Sequence, residues 1–188
     1  MGIDMEQSSK CLVIDADVAR AASERDTIDP RPKDCQKLLE VVRDTKHRVV
    51  RTKAISIEWD KHQSKFTETW LVDMIKRKQI CWIDAPVDDQ LRGDIERYAI
   101  TVSEKRRDAM LKDTHLIEAA LQADSIVISM DKKIRRYFGE VAHQIRLLAL
   151  IVWVNPCISE ETPIDWLQRG APLEKERLLG YGRENSTA

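Results

Sequence analysis

Apolar runs of strand length alternate with stretches of helical period along most of this chain. Cys11-Leu-Val-Ile14, Gln79-Ile-Cys-Trp-Ile83, Ser125-Ile-Val-Ile-Ser-Met130 and Leu147–Val154 are such runs, and Arg48–Ile55 is a more mixed one. Each has the length of a buried parallel strand and falls short of a buried helix. Between them the period lengthens. Asp17 stands as a helix cap before Val18, and two prolines make a loop of Asp26–Pro32. Lys33–Lys46 places Cys35, Leu38, Leu39 and Val42 on one helical face. Ser56–Lys78 carries Trp59, Phe66 and Trp70 at near-helical spacing, which predicts one long helix. Asp88–Met110 reads as helical with an interruption at Ile100–Ser103. A helix through Asp113 ends near Ala123, and Lys132–Ile145 turns Ile134, Tyr137, Phe138 and Val141 inward.

Strands alternating with helices predict an α/β fold with three αβα layers. At its centre lies a mainly parallel sheet of four to five strands. Residues 11–155 account for that domain. Residues 156–188, with Pro163, Trp166, Pro172 and a short helix over Leu173–Leu179, form an extension that packs on the domain or on a second subunit.

One residue breaks the hydrophobic pattern. On a helical wheel Asp113 shares its face with Ala109, Met110, Leu116, Ile117 and Ala120. A carboxylate in an apolar stripe must be paired, protonated or bound to a cation. Arg106, two turns earlier on the same face, is the one structural partner the helix offers. Three other acids end or begin elements that could meet it. Asp15 closes the first strand, Asp131 closes the fourth, and Glu58 falls in the first turn of the Ser56 helix. Each also has a structural reading: Asp131 as the cap of the following helix, and Glu58 as a charge favoured at a helix N-terminus. In open α/β sheets, ligands bind beyond the carboxyl ends of the strands, where Asp15 and Asp131 lie.

Composition narrows the chemistry. Lys plus Arg (31) nearly balance Asp plus Glu (32), so no global field draws nucleic acid and any such binding rests on local patches. Basic clusters occur at Lys46–Arg48, Lys76–Lys78, Lys105–Arg107 and Lys132–Arg136. Lys132, Lys133 and Arg135 follow Asp131 directly and are candidates for RNA backbone contacts. Cys11, Cys35, Cys81 and Cys157 are scattered without a CxxC pair. That argues against a structural zinc site and a disulfide framework, and for a reducing, cytoplasmic setting. The N-terminus has no apolar signal region, and the longest apolar run is far too short to cross a membrane. His115 falls roughly opposite Asp113 on the wheel, which predicts a surface position.

Clustered carboxylates cannot all ionise without a compensating cation, and hard oxygen ligands select Mg²⁺ or Mn²⁺. Such a cation serves phosphoryl chemistry by aligning water and stabilising a leaving oxygen. Four segments, in order, resemble the PIN domain, a family of metal-dependent ribonucleases. They are Leu12-Val-Ile-Asp15-Ala-Asp17-Val18, Ala54-Ile-Ser-Ile-Glu58, Lys112-Asp113-Thr-His-Leu-Ile-Glu-Ala-Ala-Leu121, and Ala123–Asp131 with its Ser129-Met-Asp131 ending. The resemblance implies a metal held by Asp15, Glu58, Asp113 and Asp131, with Ser129 orienting Asp15 or touching a metal-bound water. Asp17, where Asn is frequent in the family, would add a ligand or act as a cap. It further implies cleavage of single-stranded RNA to a 5′-phosphate. Homodimers and, for the toxins among its members, a cognate antitoxin protein are implied as partners.

Two other functions fit parts of the pattern. The Asp15-Ala-Asp17 opening also suits a haloacid-dehalogenase-like phosphatase with Asp15 as nucleophile, but that reading leaves Asp113 unexplained. A PIN fold that binds RNA or protein without cutting is the other.

Overall fold

The computed structural model describes residues 9–23, 28–99 and 103–181. Five strands, β1 (Cys11–Ile14), β2 (Arg48–Arg51), β3 (Ile80–Trp82), β4 (Ile126–Ile128) and β5 (Val152–Val154), form one parallel sheet in the order β3-β2-β1-β4-β5. Leu12 pairs with Val49, Val13 with Val127, Val49 with Ile80, and Ile126 with Val152. The three central strands are apolar on both sides because helices cover both: Leu12, Val13, Ile14, Val49, Val50, Val127 and Ile128 are all buried.

On the route to β3 the chain forms α1 (Ala16–Ala21), α2 (Arg31–Asp44), α3 (Lys53–His62) and α4 (Lys65–Lys76). On the way back across the sheet it forms α5 (Asp89–Ala99), α6 (Glu104–Leu121) and α7 (Lys132–Val141). Helix α2 touches α1 and α4, and α6 touches α5 and α7, so the two sets form separate layers. Helix α3 touches both α1 and α6 at the carboxyl edge of the sheet. The α2 face predicted from periodicity is the buried one: Cys35, Leu38, Leu39 and Val42.

Several boundaries differ from expectation. The Arg48–Ile55 run is a strand only to Arg51, because the Thr52 hydroxyl accepts from Ile55 N at 3.2 Å and starts α3. The long Ser56–Lys78 helix is two helices. Ser64 Oγ caps α4 by accepting from Thr67 N at 3.1 Å, which turns the chain so that Trp59 and Trp70 pack at a 6.4 Å centroid distance. A new helix begins at Ser103, the cap of α6, so Met110 and Asp113 share one helix; residues 100–102 lie outside the described residues. Leu148–Leu150 is a 3₁₀ turn, which leaves only Val152–Val154 for the last strand.

Past β5, residues 156–181 stay on the domain. Helix α8 (Pro163–Gln168), absent from the periodicity reading, packs on α2 with Trp166 and Leu167 buried. Leu173–Leu179 holds a 3₁₀ turn at Lys175–Arg177 instead of an α-helix, and Leu178 forms an antiparallel bridge to Val152. Arg177 lies over the Trp166 ring at 5.1 Å and donates to Glu161 O at 2.6 Å, tying the segment down.

Contrary to the expectation of unpaired cysteines, Cys11 and Cys81 form a disulfide. Seventy residues separate them, and only folding of the sheet brings them together. Among the described residues, no helix is long and apolar enough to cross a membrane.

Candidate active site

The strand order reverses between β1 and β4, and there the sheet opens a crevice at its carboxyl edge. Asp15 leaves β1 at that point, its N–H donating to Ile128 O at 2.9 Å. Asp15 Oδ1 accepts from Asp17 N at 3.4 Å, so Asp15 is the cap of α1. That corrects the assignment of the cap to Asp17, which lies in the first turn and reaches back across the switch point. Asp17 Oδ2 accepts from Met130 N at 3.0 Å, and its Oδ1 is buried without a hydrogen-bond partner.

Ser129, fully buried just after β4, ties these groups together. Its hydroxyl donates to Asp15 Oδ2 at 2.8 Å and lies 3.3 Å from Asp17 Oδ2, while its oxygen accepts from Asp131 N at 3.1 Å. A hydroxyl has one hydrogen, so the shorter contact fixes Asp15 as its main acceptor. Asp131 caps α7, its Oδ1 accepting from Lys133 N at 2.9 Å and Ile134 N at 2.8 Å. Both bonds fall on one oxygen, so capping does not take Asp131 out of the site.

The remaining acids come from the crossing helices. Glu58 lies in the second turn of α3, not the first, since the helix starts at Lys53. Its Oε2 is 3.2 Å from His115 Nε2 on α6. His115 is therefore not a surface residue: α3 crosses α6 and covers it, leaving its side chain only 13% exposed. Asp113 has no hydrogen bond or ion pair among the described residues. Arg106 is not its partner; it pairs with Glu140 and donates to Tyr137 O at 3.2 Å.

Asp15, Asp17, Glu58, Asp113 and Asp131 line one recess of about 190 Å³, whose wall also includes Arg20, His62 and Lys112. Burial, with like charge close by, holds protons on three of these acids, Asp15, Asp17 and Asp113. Burial, opposed by the Ser129 hydrogen bond, raises the Asp15 carboxyl above its usual range. Burial and then the Asp15 charge push Asp17 up to about 7. Burial followed by Asp15 brings Asp113 to about 6.

Five hard oxygen-bearing side chains around one recess, one with an orphaned buried oxygen, match the donor chemistry of Mg²⁺ or Mn²⁺. Among the described residues, no three His, Cys, Asp or Glu side chains are drawn together closely enough to form a closed metal site. The match is one of donor type and charge.

Lys132, Lys133 and Arg135 do not line the recess. Arg135 is paired with Glu161, and Lys133 Nζ lies over the Tyr137 ring at 5.6 Å. The basic groups that do line it, Arg20, Lys112 and His62, were missed from sequence because each looks like ordinary helix surface. His115 carried one usable signal, its place one turn from Lys112 on the helix of the misplaced acid.

The fold and site define an α/β protein with an acidic crevice at a parallel-sheet switch point. Comparison with protein-family models, with curated proteins and with solved structures finds no match to this chain.

Proposed function

We propose that this chain is a PIN-like, Mg²⁺- or Mn²⁺-dependent endoribonuclease that hydrolyses phosphodiester bonds of single-stranded RNA. The observation that carries the reading is the convergence of Asp15, Asp17, Glu58, Asp113 and Asp131 on one recess with too little positive charge to balance them. Asp15, Glu58, Asp113 and Asp131 would hold the ion, with Asp17 as a further oxygen donor. When bound, the ion supplies Lewis acidity toward phosphate oxygens.

The chain's own groups have distinct tasks. Ser129 fixes the Asp15 carboxylate through its 2.8 Å hydrogen bond, and Met130 N fixes that of Asp17. His115 beside Glu58 holds that side chain at the recess, where it can accept the proton of the attacking water. Water adds to phosphorus, the P–O3′ bond breaks, and the products are a 3′-hydroxyl and a 5′-phosphate. Arg20 and Lys112 supply positive charge to the entering phosphate. Arg20 also borders a groove of about 1100 Å³ with Arg43, Lys65, Phe66 and Lys76, a path for the strand beyond the recess.

Under this reading the chain works on RNA in the cytoplasm. A second copy and, for a toxin, a cognate antitoxin are its protein partners. The Val72 and Ile75 side chains, half exposed on α4, supply apolar surface for such contacts.

The test is cleavage of mixed-sequence single-stranded RNA by purified protein supplied with Mn²⁺. Cleavage should leave 5′-phosphates and disappear in Asp113→Asn, whose circular dichroism should match the parent. Failure of the metal-supplemented parent protein to cut any such RNA sinks the proposal. The second reading, a non-cleaving RNA-binding module, is favoured by the lack of a closed ligand set among the described residues. It predicts RNA retention without products.

A further inference from the structure

Behind the acidic recess, on the far side of Met130, three sulfur atoms from distant parts of the chain meet. Cys35 Sγ on α2 lies 3.5 Å from Met130 Sδ after β4. Cys157 Sγ, after β5, lies 3.6 Å from the same Met130 Sδ and 4.0 Å from Cys35 Sγ. Three sulfurs bound in a plane to one ion at about 2.3 Å stand about 4.0 Å apart. The observed triangle, with sides of 3.5, 3.6 and 4.0 Å, is close to that size.

The triangle is held by its backbone. Asn155 is buried; its Nδ2 donates to Met130 O at 3.1 Å and its Oδ1 accepts from Cys157 N at 2.9 Å. One amide thus fixes the spacing of two sulfur-bearing segments. Cys35 is fully buried on the helix behind them. Entry is from the Cys157 side, which opens on a cavity of about 300 Å³ whose lining includes Asp34, Asp165 and Ser159. Lys37 lines the cavity too, so its two carboxylates outnumber its one ammonium.

We propose that Cys35, Met130 and Cys157 form a three-coordinate site for a soft monovalent cation, Cu(I) by its chemistry. Two thiolates and a thioether are soft ligands that favour Cu(I) over hard cations, and a trigonal set with a thioether is a poor match for tetrahedral Zn²⁺. Binding displaces the two thiol protons to solvent, with no change in oxidation state. The site shares no side-chain ligand with the acidic recess and does not depend on the nuclease reading.

The test is anaerobic titration of the reduced full chain with Cu(I), in competition with a bathocuproine chelator. One Cu(I) per chain should be retained, with X-ray absorption showing sulfur neighbours only. Cys157→Ser should weaken retention by at least about 100-fold, the upper range for loss of an outer-shell group alone. Met130→Leu should weaken it less, by about 10-fold. Thermal scans of both variants establish that they fold. The Cys11→Ser/Cys81→Ser double variant should retain copper like the parent. Unchanged binding in Cys157→Ser, or loss in the Cys11/Cys81 variant, overturns the proposal. So does tighter binding of Zn²⁺ than of Cu(I), or a Cys35–Cys157 disulfide formed with no copper retained.

Discussion

Two carboxylates on α6, Glu118 and Asp113, meet opposite treatment from the fold. Glu118 is 5% exposed and fully answered: Arg92 Nε and Nη2 each donate to it at 2.7 Å, and Asp88 N donates at 2.8 Å. Asp113 faces Asp15 and Asp131; Lys112 and His115 act on it only through space, and among the described residues it has no hydrogen bond or ion pair. A buried charge that serves structure is satisfied on the spot, because leaving it unpaired is costly. A charge left without a partner is held there by the surrounding framework, and such sites are where ligands bind.

The largest separation between the two residues should appear in catalysis. Asp113→Asn should lower Mn²⁺-dependent kcat about 1000-fold, the effect of roughly 4 kcal/mol of lost transition-state stabilisation. Glu118→Gln should leave the kcat of the folded protein nearly unchanged, since Glu118 does not line the recess. Single-turnover cleavage of a labelled RNA measures both. Equal loss in the two variants would erase the distinction.

Stability should invert that order. Glu118→Ala strands the Arg92 guanidinium and should cost roughly 3 kcal/mol, read as a lowered urea midpoint. Replacing both residues, as Glu118→Leu with Arg92→Leu, should recover most of that loss. If the double replacement is as damaging as the single one, the stabilisation lies elsewhere than in the pair.

A divalent ion should act on one of the two only. At one hundred times its dissociation constant, Mn²⁺ should stabilise the parent chain by about 2.7 kcal/mol. Glu118→Gln should keep that increment on its lower baseline, and Asp113→Asn should lose most of it. Thermal scans with Mn²⁺ or with a chelator read the difference directly.

The difference between these residues was half legible. Strands β1 and β4 announce themselves as apolar runs ending in a polar residue, so Asp15, Ser129 and Asp131 fall where the runs predict. Asp113 was visible as a polar position in an apolar stripe. Glu118 was not, because its partner sits on α5 and nothing local links Arg92 to it. The same holds for His115: a helical wheel turns it away from Asp113, and only the crossing of α3 over α6 brings Glu58 against it. The break between α3 and α4 carries neither Gly nor Pro, only the capping Ser64. Helices α2 and α4 are followed by Lys46 and Lys78 in the left-handed region, at φ 62° and 58°, where Gly would have marked the stop. Local rules find elements and their end residues. Partners across layers follow from packing, which a single chain's periodicity does not encode.

The smallest effect is the most telling about the recess. Asp17 and Asp113 have carboxyls raised to about 7 and about 6, so the folded chain holds protons there that the unfolded chain has released above about pH 4. Their contribution to the stability of the metal-free protein should therefore fall as pH rises from about 4 to 7, the opposite of a salt-bridged acid, while His47, whose imidazole burial holds below its usual range, contributes the opposite slope. Asp113 is only partly buried, so solvent screening reduces its share to roughly 1 kcal/mol. Asp113→Asn should raise metal-free stability at pH 7.5 by about that amount and leave it unchanged near pH 4, where the parent carboxyl is protonated. With Mn²⁺ the slope should reverse, because the ion competes with the same protons and binds better as pH rises. Thermal scans of the parent and Asp113→Asn between pH 4 and 8, with chelator and with Mn²⁺, decide the matter. If Asp113→Asn does not raise stability in chelator at pH 7.5 relative to the parent, these carboxylates are compensated from within the protein, and Asp113 belongs with Glu118.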